Sequence, residues 1–185
     1  AMFLGCAVGL AVAWTMGDFE SLFASNSVPI GVVIAALIIF ATGFVDDIHE
    51  LSAPAKVFGT VLAGVALVYF GVVMYSFHVP YLGTVILSPD LQPLVTVLWL
   101  IGMSHAINLI DGLDGLAAGI VAIGAGAFFL YSERLADIPG MITQPNIGSF
   151  VAILAVGICV GFLPHNFNPA RIFMGDGGAL LLGLL

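Results

Sequence analysis

Residues 108–119, NLIDGLDGLAAG, set two aspartates, an asparagine and three glycines into an otherwise apolar stretch. Asp111 and Asp114 are three apart, so both lie on one face if the turn is helical, and Asn108 extends that face by the same interval. Gly112, Gly115 and Gly119 leave the backbone uncovered, which admits a ligand or a neighbouring helix. Taken alone, the stretch also suits close helix packing in lipid. Two further clusters shift that balance. Asp46 and Asp47 adjoin in FVDDIHE, and Asp176 stands between Gly175 and Gly177 in FMGDGG. Adjacent aspartates at a helix end point about 100° apart, so one can face a metal or a nucleophile while the other is held by surrounding protein. Asp176 falls at a helix N-terminus, where free amides and the dipole favour anions and where a phosphate and its metal could gather. Each aspartate alone reads equally well as a turn, interfacial or capping residue.

Together, five aspartates and an amide with few basic residues nearby point to a hard divalent cation. Mg²⁺, with Mn²⁺ as the alternative, takes one or two carboxylates, keeps waters and holds substrate phosphates. The matching chemistry is phosphoryl transfer, in which charge is offset and groups are positioned.

Such a site needs elements that return three separated loops to one face. The composition is 61% hydrophobic and 8% charged, with mean hydropathy +1.20, against roughly 25% charged in a soluble domain. The chain therefore reads as an integral membrane protein. Its net charge of −8 comes from three basic residues against eleven carboxylates, all placed between apolar runs. With no basic patch, nucleic acid is excluded as a partner.

The apolar runs each supply the ~20 residues that a spanning helix needs. The expected fold is an all-α, polytopic transmembrane helical bundle forming a single integral membrane domain over 1–185. It has about six full spans, 1–16, 28–45, 57–75, 93–109, 113–131 and 147–163, and the start of a seventh at 179–185. Only helices fit, because a lipid-exposed backbone must satisfy its own hydrogen bonds. Two spans separate each motif loop from the next, so loops 46–56, 108–115 and 164–178 share a face. Lys56 and Arg171 lie on that face and Arg134 opposite, which places the motifs in the cytoplasm.

Lys56 itself reads as a snorkelling anchor. The alternation over 82–87 suggests a small hairpin. Cys6 and Cys159 read as small buried hydrophobes rather than a disulfide or metal pair. His105 reads as a buried histidine bonded to a neighbouring helix, His49 and His165 as solvated loop residues by default with phosphate contact as the alternative, and His78 is given no role. Both ends fall within apolar runs, as in the interior portion of a longer protein.

The order DD, then NLIDGLDGLAAG, then PHNFNPARIFMGDGGALLLG resembles the polyprenyl-phosphate N-acetylhexosamine-1-phosphate transferases. That family includes the bacterial enzymes that start O-antigen, teichoic acid and arabinogalactan linkage synthesis, and the translocase of peptidoglycan synthesis. The resemblance implies a multi-pass enzyme of the bacterial inner (plasma) membrane, with a cytoplasmic Mg²⁺ site, a homodimer being one assembly to test. It implies transfer of a sugar-1-phosphate from a UDP-sugar to a polyprenyl phosphate, with release of UMP. Asp46 and Asp47 match the aspartate pair, one of which deprotonates or positions the lipid phosphate; with Asp111 they form the expected catalytic set. Asp176 matches the metal-binding aspartate, and Asn108 and Asp111 match positions near metal and diphosphate. Asp114 matches the contact to uracil, Asn166 and Phe173 line the nucleoside pocket, and Gly112 completes the expected substrate contacts.

Gly177 stands where the family commonly has Thr or Ser, and the family's N-terminal spans and later His-rich loop have no counterpart within 1–185. The run 164–176 is closer to the N-acetylglucosamine-1-phosphate branch than to the phospho-N-acetylmuramoyl-pentapeptide branch, which is the alternative. Three rivals stand apart. An ion-coupled transporter would place ionisable groups at the bilayer midplane, whereas here they sit at span ends. A phosphatidyl-type transferase lacks its DG-x-x-AR signature, since Leu116, Ala117, Ala118 and Gly119 follow Asp114-Gly115. A catalytically inactive fragment rests only on the missing ends.

Overall fold

A computed structural model describes residues 2–16, 27–81, 83–138 and 147–185. Seven helices and one two-stranded ribbon account for its regular structure. They are α1 (Met2–Thr15), α2 (Val28–His49), α3 (Ala53–Tyr69), β1 (Ser76–Val79), β2 (Gly83–Ile86), α4 (Leu91–Ile110), α5 (Leu116–Ala136), α6 (Ile147–Asn166) and α7 (Gly175–Leu184). The loop expected around Asp18 lies outside the described residues, as does 139–146 of the loop expected over 133–146; the start of that loop is instead helical, since α5 runs on to Ala136.

Four helices, α2, α4, α5 and α6, are long and apolar enough to cross a membrane. About six full spans is more than these helices show. At 1.5 Å per residue, the 17 residues of α3 extend over about 25 Å, at the lower end of what spans a hydrocarbon core. The α3 span was expected to reach residue 75, because hydropathy stays high to that point. Backbone partners end it sooner. The Met74 N–H donates to Thr96 Oγ1 (2.8 Å) instead of continuing the helical ladder, and the Phe70 carbonyl accepts from Ser27 Oγ (3.3 Å). The hairpin exists, with β2 inside the expected stretch and β1 paired to it antiparallel, Ser76 opposite Ile86 and Val79 opposite Gly83.

The short helix α7 sits at the centre. Gly177 through Leu182 are all buried, and two apolar clusters meet on them. Leu180 and Leu181 pack with Ala35, Ala36 and Ile39 of α2, Ala63 and Leu67 of α3, and Leu100 of α4. Leu182 packs with Met2 of α1, Ile107 of α4, Ala117 and Ala118 of α5, and Cys159 and Phe162 of α6. Small residues make this approach close: a Cβ on Gly43 of α2 would fall 2.5 Å from the Gly177 Cα. Because α7 is locked by both clusters, the aspartate in its first turn is fixed relative to every other helix.

Candidate active site

Asp46 and Asp47 occupy the last turn of α2, where the helix stops at the left-handed Glu50 (φ 46°), whose N–H returns to the Asp46 carbonyl. Asp46 is buried at 6% exposure, and its Oδ1 accepts the Leu51 N–H at 2.6 Å. Pro54 in the opening turn then starts α3 immediately, which carries Lys56 back beside the aspartates. The Lys56 ammonium pairs with Asp46 Oδ2 and with Asp176 Oδ2 at 2.6 Å. Nothing local in the sequence signals this bridge, since Asp176 is 120 residues away; Lys56 is the site residue that sequence reasoning took for a membrane anchor.

Asp47 turns the other way, toward α7. Its Oδ1 accepts the Asp176 N–H at 2.7 Å and its Oδ2 the Gly177 N–H at 3.2 Å. The helix N-terminus expected to gather a phosphate is thus capped by a carboxylate from α2, an anion placed where the dipole favours one. Gly175 makes the geometry accessible: its φ is +67°, and a Cβ there would meet Asp47 Oδ2 at 2.7 Å. The two aspartates diverge, but not toward a metal or a nucleophile: Asp46 meets the Lys56 ammonium and Asp47 the backbone amides of α7.

Asn108 lies in the last turn of α4 and Asp111 caps its C-terminus. Burial, and then the negative charge of Asp176, push the Asp111 carboxyl up to about 6. Burial also works against the charge on Asp176, but hydrogen bonds donated by the Lys56 ammonium and the Asn108 amide, with the Lys56 charge, hold that carboxyl below its usual range. Asp111, Asn108 and Asp176 thus face one another from two helix ends.

Asp114 does not share their face. Residues 111–115 form a non-helical turn, which removes the condition for placing Asp111 and Asp114 together. Asp114 Oδ2 instead accepts from Asn168 Nδ2 (3.1 Å) and from the Ala170 N–H (3.0 Å). Gly115 follows at φ +73° as the N-cap of α5, and its N–H donates to Asn166 Oδ1 at 3.0 Å. Asn166 is 2% exposed and its Nδ2 donates to the Ile172 carbonyl at 3.0 Å. Both polar ends of Asn166 are therefore occupied by backbone, so Asp114 and Asn166 shape the 167–172 segment from two sides. Phe173, at its edge, is 74% exposed. No atom lies within 4 Å of where a Gly112 Cβ would be, so its backbone is open to approach. His105 meets Thr60 Oγ1 of α3 at 3.5 Å, the helix-to-helix partner expected for it.

Among the described residues, no group of three His, Cys, Asp or Glu side chains is arranged to hold a metal ion. Mg²⁺ asks for less, one or two carboxylates with water and phosphate oxygens completing its shell. Asp176 and Asp111, with the Asn108 amide oxygen, offer that kind of donor set, and the charge of Asp176 works against ionisation of Asp111 unless a cation intervenes.

The sequence pattern for "Glycosyl transferase family 4" matches residues 29–185. The chain belongs to this family. Among curated family 4 relatives, the "Decaprenyl-phosphate N-acetylglucosaminephosphotransferase" of Mycolicibacterium smegmatis is 35% identical over 187 residues, covering 100% of this chain and 46% of the relative. The "Probable undecaprenyl-phosphate N-acetylglucosaminyl 1-phosphate transferase" of Bacillus subtilis is 40% identical over 157 residues, covering 82% of this chain and 40% of the relative. A "Phospho-N-acetylmuramoyl-pentapeptide-transferase" of Staphylococcus epidermidis is 32% identical over 177 residues, 88% of this chain and 53% of the relative. The chain spans about half the length of these family 4 proteins.

Proposed function

We propose that this chain carries the catalytic face of a membrane phosphoglycosyltransferase that moves N-acetylglucosamine-1-phosphate from UDP-N-acetylglucosamine to a polyprenyl phosphate and releases UMP. This would be the first membrane step of a cell-envelope polysaccharide. The observation that carries the reading is the convergence of Asp46, Asp47, Lys56 and Asp176 from three helices through direct contacts, with Asp111 in electrostatic reach. Convergence supports a phosphate-handling site; the choice of sugar follows the names of relatives that match the whole chain. Lys56 and Arg171 beside the motifs favour a cytoplasmic site in the bacterial inner membrane.

A bound Mg²⁺ would offset phosphate charge at Asp176, Asp111 and Asn108 and help align the diphosphate. Asp47 holds α7, and with it Asp176, at a fixed depth. Asp46 and Lys56 form the charged wall on the α2–α3 side. An oxygen of the lipid phosphate attacks the sugar-bearing phosphorus of the donor; the bond from that phosphorus to the bridging oxygen breaks, and UMP leaves with the bridging oxygen. Phe173 offers an exposed ring for a base, on a segment whose shape Asp114 and Asn166 maintain.

The test offers the full-length protein both donors with polyprenyl phosphate. Lipid-linked product from UDP-N-acetylglucosamine supports the reading. Product only from UDP-N-acetylmuramoyl-pentapeptide would move the protein to the branch of the Staphylococcus relative, and no product from either would overturn the reaction class.

A further inference from the structure

Lys56 is the only lysine in the 185 residues, and among the described residues both ion pairs belong to it. Its two partners come from the ends of α2 and α7, so one ammonium closes the gap between elements far apart in sequence. The bridge is not deeply enclosed. The Lys56 side chain is 25% exposed and Asp176 28%, whereas Asp46 is 6% exposed. The inner half of the bridge is therefore fixed and the outer half can open to solvent.

The outer half is also where a divalent cation would sit. Asp176 Oδ2 lies 2.6 Å from the ammonium, and a cation bound to that carboxylate at roughly 2.1 Å would bring two positive centres onto one group. Both cannot hold the same oxygen lone pairs without strong like-charge repulsion. A lysine can yield, because its ammonium is a compact charge on a flexible four-carbon stem. Pivoting about the Asp46 contact, the freed charge faces the phosphate oxygens that accompany the cation.

We propose that Lys56 is an internal counter-cation that takes turns with the divalent cation: it bridges Asp46 and Asp176 when the cation is absent, and on cation binding releases Asp176 while keeping Asp46. This rests on the reading of the cluster as a metal-dependent phosphotransferase centre, and assigns Lys56 a positioning role there. The consequence runs against intuition for a residue that joins two parts of a site. Removing Lys56 weakens transfer but strengthens cation binding, because the carboxylates lose their resident competitor.

The experiment measures Mn²⁺ affinity of the full-length detergent-solubilised protein from the electron paramagnetic resonance signal of free Mn²⁺, without substrate. Lys56→Met, which keeps the apolar stem, should bind Mn²⁺ about tenfold tighter, a figure discounted for the solvent screening of a part-exposed pair. Lys56→Arg, which keeps the charge, should stay within about twofold of wild type. Unchanged or weaker Mn²⁺ binding by Lys56→Met with helical circular dichroism intact overturns the proposal. A second measurement uses wild type alone, where folding is not in question: acylation of Lys56, read by peptide mass spectrometry, should quicken several-fold when Mn²⁺ is added. Labelling that is unchanged or slowed by Mn²⁺ overturns the proposal equally. Transfer by wild type is scored separately. Normal metal-dependent transfer without either Lys56 effect defeats the counter-cation alone, whereas both effects without transfer defeat the proposed reaction and leave the counter-cation standing.

Discussion

Asp47→Ala separates a residue that holds the site from one that performs the chemistry. Asp47 gives its two oxygens to the Asp176 and Gly177 amides at 2.7 and 3.2 Å, so its loss uncaps α7. Loss of a capping oxygen costs about 1 kcal/mol, and loss of the negative charge at the helix N-terminus adds about 0.5–1 kcal/mol. The sum, about 2 kcal/mol, corresponds to a roughly thirtyfold rise in local opening, at 1.4 kcal/mol per factor of ten. Hydrogen exchange read at the Asp176 and Gly177 amides of the full-length protein should accelerate by that order in Asp47→Ala. In Asp47→Asn, which retains one acceptor oxygen, the rise should be only a few-fold. Transfer rates should follow the same order, with Asn above Ala. Equal and complete loss of transfer in both variants, with exchange unchanged, would refute the capping argument and make Asp47 a group that acts on substrate.

Gly43→Ala would place a methyl against the Gly177 backbone. Overpacking of this kind costs about 1–3 kcal/mol, so a lowered thermal midpoint in detergent and reduced transfer are expected. Gly112→Ala meets open space and should leave stability within about 0.5 kcal/mol; a raised KM for the nucleotide sugar would then report backbone approach by the donor. Asn166→Ala leaves the buried Gly115 N–H without its partner, at about 1–3 kcal/mol, and frees the more exposed Ile172 carbonyl, so proteolysis within 167–172 should quicken.

Asp111 supplies the pH dependence. Its folded carboxyl is raised to about 6 from 3.8, so the folded state holds a proton that the unfolded state has released between those values. Its contribution therefore favours the fold below about pH 4 and is lost as pH rises through 6. A cation needs the ionised form, so Mn²⁺ affinity should fall as pH drops below about 6, and Asp111→Asn should flatten that slope.

Part of this arrangement is legible in the sequence, because the apolar runs and the polar motifs between them follow one another in the order that the helices and their ends take. Asp46, Asp47, Asn108, Asp111 and Asp176 all mark loops or helix ends that the fold gathers, and the short α1 and α3 do not upset the order of the elements. What the sequence conceals is which side chain meets which. Lys56 carries no local sign of its pairing with Asp176, since ion pairing over 120 residues leaves no trace in spacing. Asp114 and Asn166 fall in the motifs like their neighbours, yet the non-helical turn at 111–115 turns Asp114 toward the 168–170 backbone. The end of α3 is hidden for a different reason: residues 70–75 stay apolar, and the hydroxyls of Ser27 and Thr96 intercept their backbone groups. The central position of α7 is likewise invisible in a ten-residue apolar segment.

The central claim is that the three motif loops form one metal-dependent phosphotransfer site. Its most direct test follows labelled N-acetylglucosamine-1-phosphate from UDP-N-acetylglucosamine to polyprenyl phosphate in membranes carrying the full-length protein, with Mg²⁺ or with chelator, for wild type and Asp176→Asn. The account predicts lipid-linked product and equal UMP from wild type with Mg²⁺, and neither with chelator or in the variant. Product that persists in chelator, or undiminished turnover by Asp176→Asn, would contradict it.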